Sequence, residues 1–290
     1  MHQRALDFYT APGHHTTLAP GDFSSRDIHE VVDVVQGLLV YDLVADSFYG
    51  VVLDERRAGT IHERDTARLL DVVRAVDPRP LREPRPPESR VGARCNAFSR
   101  LTVAFLRAAG VPARARCGFS SYFRPGWLED HWVAEYWNDA VGRWEMVDAQ
   151  LDAIWREKIA FEGDSFALSP SEFIPAGRAW RAWRQGQLDA SRCGLSTINE
   201  HGAHWIAGNL RLDLASLNKV EMLPWDVWGT RWGPGEAPPI HALEAFDAAA
   251  AITVDPDWQL DELHRRFEVD GALHMDGEVF NAERGVMETV

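Results

Sequence analysis

Three side chains in this 290-residue chain could act together as a nucleophilic site. Cys95 sits in V-G-A-R-C-N-A-F-S-R-L-T-V-A-F-L-R-A-A-G-V-P-A-R, residues 91–114; His131 in D-H-W-V-A-E-Y-W; Asp148 in R-W-E-M-V-D-A. Sulfur attacks as the thiolate, an imidazole within hydrogen-bond reach manages the proton, and a carboxylate fixes the tautomer of the imidazole. Each residue also has a plainer use. A free cysteine is usually a small buried apolar residue, His131 could be a structural histidine satisfied by its neighbours, and Asp148 could cap a turn.

The elements around these residues decide between the two readings. A helix is predicted from Cys95 to about Ala109, with Phe98, Leu101, Phe105 and Ala108 on one stripe and Thr102, Leu106 and Ala109 widening it. Gly110 fits its C-terminal cap and Pro112 forbids continuation. Cys95 then heads the helix, where unpaired N–H groups and the positive dipole end favour a thiolate. Arg94 adds to this if it points the same way. Three strands follow, Ala113 to Phe123, His131 to Trp137 and Arg143 to Asp148, the last two as a hairpin turned at Asn138-Asp139 and Gly142. Alternation groups His131 with Val133 and Glu135, and Asp148 with Trp144 and Met146. Antiparallel pairing can therefore set His131 beside Asp148, and the face towards the helix is the expected one.

These segments resemble the core of the transglutaminase-like superfamily of papain-type cysteine enzymes. The resemblance covers 91–151 and rests on a Cys heading a helix, a Gly-Val-Pro-Ala-Arg turn into a strand, a His followed by Trp and then Glu135, and an Asp after a Trp-containing strand. It implies an α+β, papain-like fold, a Cys-bearing helix on a small antiparallel sheet. It also implies Cys95 as nucleophile, His131 as general base and then acid, and Asp148 as orienting carboxylate. The region Trp205 to Trp228 is similar to uncharacterised bacterial relatives and implies no chemistry. Two departures stand out: Gly92 lies three before the Cys with Ala93 where the family often has glycine, which points to a different cleft entrance, and Ala149 replaces the usual Pro. The oxyanion-hole side chain has no fixed motif; the backbone N–H of Cys95 is the one donor to name.

The rest of the chain reads as one transglutaminase-like domain over 1–290, with a helical part at 1–90, the core at 91–151 and a helical, Trp-rich extension at 152–290. Helices are expected over 27–46, 171–185, 201–219 and 256–267, and another with Leu69, Leu70, Val73 and Val76 inside, capped by Thr60-Ile-His-Glu63 and stopped by Asp77-Pro78. Residues 223–239 should form an ordered loop. All twelve tryptophans follow Gly126, so the second half is a candidate for the aromatic walls of a pocket. Arg94, Trp127, Glu129, Asp130 and Trp132 are candidate substrate contacts; Glu129 and Asp130 could attract a cationic amine, although a solvated loop is their commoner meaning. Cys117 reads as core and Cys193 has no paired histidine. His201 and His204 could be half of a metal site, but no third ligand follows.

The formal net charge of -14 argues against nucleic acid or an anionic membrane surface as partner. No signal pattern opens the chain and no apolar run reaches about 18 residues, so a cytoplasmic, soluble protein is expected. No cofactor or metal is implied. The expected chemistry is acyl transfer through a thioester on a small-molecule, peptide or carrier-bound substrate, with water or an amine as acceptor. The other class is a catalytically silent binding protein that keeps the fold.

Overall fold

The helix headed by Cys95 lies at the centre of the molecule. In the computed structural model, which describes residues 3–290, it runs Cys95–Ala108. Residues on every side of it are buried, including the charged Arg100 and Arg107, so it has no true solvent face. Gly110 ends it at φ +76, a left-handed conformation that glycine enters without strain.

Sheet and helices together make an α+β architecture. The strand Ala113–Ser120 pairs antiparallel with Leu128–Asn138, and the latter pairs antiparallel with Arg143–Val147. Phe173–Pro175 joins the Ser120 end of the first strand, also antiparallel. The one parallel pairing of this sheet sets Cys193–Leu195 beside Leu128 and Glu129, with Glu200–His201 beyond it.

Alternation sorts the strands onto separate cores. Ala113, Ala115 and Cys117, with Trp132, Ala134, Tyr136 and Val147, pack with Phe98, Leu101 and Phe105 of the Cys95 helix and with the helix Ile28–Leu38. Val133 points the other way, into Leu151, Trp155, Phe161, Leu168 and Phe173. A third core joins the helices Ala176–Arg184, Ala203–Leu217, Ile240–Val254 and Leu260–Val269. The Ala203–Leu217 helix covers the free edge of the Ala113–Ser120 strand: Ser216 Oγ donates to Ala115 O at 2.7 Å, and Cys117 N–H donates to Asp213 Oδ1 at 3.0 Å. Those edge groups are thus satisfied by side chains instead of a further strand.

Several sequence expectations change. The helix expected over 27–46 stops at Leu38, because Leu39–Tyr41 leaves it to pair in parallel with Val91–Ala93. Thr60 does not cap the start of the Thr66–Val76 helix; its hydroxyl donates to Arg57 O and Gly92 O, and Asp65 caps that helix by accepting from Arg68 N–H. The helix expected over 171–185 is divided, its first part being the strand with Phe173. The Ile240–Val254 helix and the hairpin Glu278–Asn281 with Val286–Thr289 carry no strong signal. The helix is alanine-rich, without a narrow apolar stripe or a side-chain N-cap.

Candidate active site

Cys95 is the first residue of its helix and is 7 % exposed. The Arg94 side chain makes no capping bond, and of the first-turn N–H groups that of Ala97 donates to Arg94 O at 2.9 Å. His131 is the fourth residue of its strand and lies across from Gly118. Asp148 follows directly on Arg143–Val147. Its place is set by the hairpin register: Ala134 pairs with Val147, so the next residue falls across from Val133 and diagonal to His131. Its own N–H donates to Ser165 O at 2.8 Å.

The structure brings the three side chains together. His131 Nε2 meets Asp148 Oδ2 at 2.8 Å, and both residues are 2 % exposed. Cys95, at the head of its helix, acts on the same imidazole and raises it further. With Nε2 taken by the carboxylate, Nδ1 is the nitrogen left for the sulfur. Burial by itself disfavours the imidazolium. The Asp148 charge and hydrogen bond, and then Cys95, overturn that and push His131 up to about 10.

One detail of the expected geometry is corrected. The strand face that packs the helix carries Trp132, Ala134 and Tyr136, while His131 shares its alternation with Val133, on the opposite face. His131 therefore lies off the strand face that packs the helix, and the residue across from it on the neighbouring strand is Gly118.

The candidate substrate contacts are committed elsewhere. Arg94 pairs with Asp42 and lies over the Trp225 ring, 5.4 Å from its centroid. Trp132 is core, 1 % exposed, against the Cys95 helix. Trp127 donates its Nε1–H to Gly194 O at 3.3 Å and stands edge-on to His201. Glu129 and Asp130 are not a solvated acidic lip: Glu129 Oε1 accepts from Ser196 N–H at 2.8 Å, and Asp130 accepts from Trp205 Nε1 at 2.9 Å and Asn209 Nδ2 at 3.0 Å. Burial still raises Asp130 to about 6. Gly92 and Ala93 line no entrance, because they form a buried strand and a Cβ on Gly92 would press 2.8 Å from Arg57 O. Cys117 and Cys193 are both fully buried, and His204 Nε2 lies 3.7 Å from Glu200. Among the described residues no group of three or more His, Cys, Asp and Glu is arranged to hold a metal ion, and no helix is long and apolar enough to cross a membrane.

The aromatic surroundings of the site come from elsewhere than expected. Tyr122 and Phe123, in the loop S-S-Y-F-R-P-G between two strands, stand against the His131 ring with centroids 6.1 and 4.8 Å away. Tyr41 packs edge-on to Trp155, and burial pushes its hydroxyl well above the ordinary range. Of the tryptophans, Trp155 alone joins this aromatic group, whereas Trp180, Trp228 and Trp232 fill cores. Two adjacent aromatics in a turn just ahead of His131 were the available signal for Tyr122 and Phe123.

A cysteine heading a helix, with a histidine on a strand bonded to the aspartate that follows the hairpin partner, makes a candidate Cys-His-Asp site on an α+β scaffold. Residues 81–149, which contain all three, match the family model of the transglutaminase-like superfamily. No curated protein and no solved structure matches the chain.

Proposed function

We propose that the protein is a papain-like cysteine enzyme that transfers an acyl group through a thioester on Cys95. The observation that carries this reading is the buried His131–Asp148 pair, 2.8 Å apart, with Cys95 at the head of the helix acting on the same imidazole. The Cys95 thiol passes its proton to His131. The sulfur attacks the carbonyl carbon of an amide or thioester, a C–S bond forms, and the carbonyl pair moves to oxygen, opposite the backbone N–H of Cys95. Collapse breaks the bond to the leaving nitrogen or sulfur, which takes the proton from His131. Water or an amine then gives a proton to His131 and attacks the thioester, and Cys95 leaves as thiolate.

The substrate class is a small-molecule, peptide or carrier-bound acyl donor, and hydrolysis or small-substrate transfer is preferred to protein cross-linking. Incubation with model amides and thioesters, followed by intact-mass measurement, should show an acyl adduct on wild type that is missing from Cys95→Ala. A wild type that takes up no acyl group from any donor, with Cys95 no more reactive than an ordinary thiol, would instead mark a silent binding protein.

A further inference from the structure

Asp148 is more heavily engaged than a three-membered site requires. Oδ1 accepts from Gln150 N–H at 2.9 Å. Oδ2 carries two donors, His131 Nε2 at 2.8 Å and the Tyr122 hydroxyl at 2.6 Å. We propose that Tyr122 is a positioning residue of this site, which shares Asp148 Oδ2 with His131 and thereby sets how tightly the carboxylate holds the imidazolium. This rests on reading Cys95, His131 and Asp148 as an acyl-transfer site.

The hydroxyl is the informative atom. The Tyr122 ring packs edge-on against Phe161 at 5.0 Å and beside Phe123 at 4.8 Å, contacts a phenylalanine would make equally well. Only the O–H reaches Asp148. Burial, and then the Asp148 charge, push the phenol well above its ordinary range, so it stays a neutral donor. A neutral donor on a carboxylate oxygen draws charge away from any second donor on that oxygen. Tyr122 therefore weakens the grip of Asp148 on the His131 proton and leaves the imidazolium a better acid towards a leaving group.

The other charged groups around His131 are accounted for. Cys95 faces it from the helix. Glu129 and Asp130 flank it on its own strand, bound to Ser196, Trp205 and Asn209. The neighbouring strand brings Gly118, which has no side chain.

The test uses the full chain as wild type, Tyr122→Phe, Ser121→Ala, Asp148→Asn and the double variant Tyr122→Phe/Asp148→Asn. The readouts are the NMR titration of the His131 ring, the pH profile of Cys95 alkylation by iodoacetamide, and the rate of acyl-adduct formation from a model thioester. We expect Tyr122→Phe to move the His131 midpoint upward by about one pH unit and to slow adduct formation about tenfold. Ser121→Ala removes the bond from the same loop to Ser171 O and should change neither. In the Asp148→Asn background the tyrosine substitution should add nothing, because the two act as one unit. An unmoved midpoint in Tyr122→Phe, an equal shift in Ser121→Ala, or a full Tyr122 effect without the Asp148 carboxylate would overturn the assignment while leaving the acyl-transfer reading intact. Wild-type Cys95 reacting no faster than Cys117 and Cys193 would overturn that reading, and this assignment with it.

Discussion

Gly118 stands directly across the strand pair from His131. A side chain there would not fit. An added Cβ would run into the Ile174 carbonyl and lie 2.9 Å from Pro175 Cα, in the strand that pairs on its other side. We expect Gly118→Ala to destabilise the protein by about 1–3 kcal/mol, the usual cost of overpacking. Urea unfolding should show a lower midpoint at unchanged slope. A wild-type midpoint would mean that Phe173–Pro175 can move aside without cost.

The three thiols differ enough in surroundings to be told apart by reagent. Burial, with Asp130 and Asp213 acting in the same direction, pushes Cys117 well above the ordinary thiol range, and burial pushes Cys193 up to about 12. Both are 0 % exposed, whereas Cys95 is 7 % exposed, heads its helix and acts on His131. At neutral pH iodoacetamide should modify Cys95 first, as read by peptide mass mapping. Cys95→Ala or His131→Ala should lower acyl transfer by about a thousandfold or more. Wild-type turnover in either variant would end the mechanism.

His131 predicts a pH dependence with a definite sign. Its pKa is raised to about 10, chiefly by Asp148 acting against burial. Its contribution to stability is therefore fully present below the unfolded imidazole value of about 6.5 and is lost as pH rises through the folded value. Acyl transfer should fall on the alkaline side near pH 10, where the proton leaves. Asp148→Asn should draw that limb down towards about 6.5. A limb that stays in place in Asp148→Asn would mean that another group is titrating.

The parts of this site legible in the sequence are those that sit on strongly periodic elements. Cys95 heads an apolar stripe, and His131 and Asp148 belong to two alternating runs joined by a turn, so secondary structure alone nearly brings them together. The hairpin register then follows from turn chemistry at Asn138 and Gly142. Tyr122 belongs to a loop with no period, and its position depends on Phe161, thirty-nine residues further on, packing against its ring. Glu129 and Asp130 look solvated locally because Ser196, Trp205 and Asn209, which bind them, lie 67 to 79 residues further along the chain. The Leu39–Tyr41 strand was hidden for a similar reason, since a helical run continues into it and only Val91–Ala93 draws it away.

Arg116 is the test of how the His131 strand is anchored. It donates to Asp213 through Nε and Nη2, both at 2.9 Å, to Glu135 Oε2 at 3.1 Å and to Thr253 O at 3.0 Å, while Arg114 reaches Glu135 at 2.5 Å and Asp257 at 2.6 Å. All five charged side chains are buried. They tie the strand that carries His131 to the Ala203–Leu217 helix. Replacing Arg116 by Met would leave Asp213 without its cation and Glu135 with one partner, at a cost of about 3–5 kcal/mol. The sign with pH separates charge from packing. Burial acts to raise Glu135, but Arg114 and Arg116 outweigh it and hold the carboxyl down at about 2. Its stabilising contribution is present above its ordinary value of 4.5 and is lost as pH falls through about 2. Urea midpoints taken from neutral to acid pH should therefore show the Arg116→Met deficit shrinking as Glu135 protonates. A deficit that stays constant across that range would show that Arg116 serves by filling space and that the charge cluster is not what holds the strand.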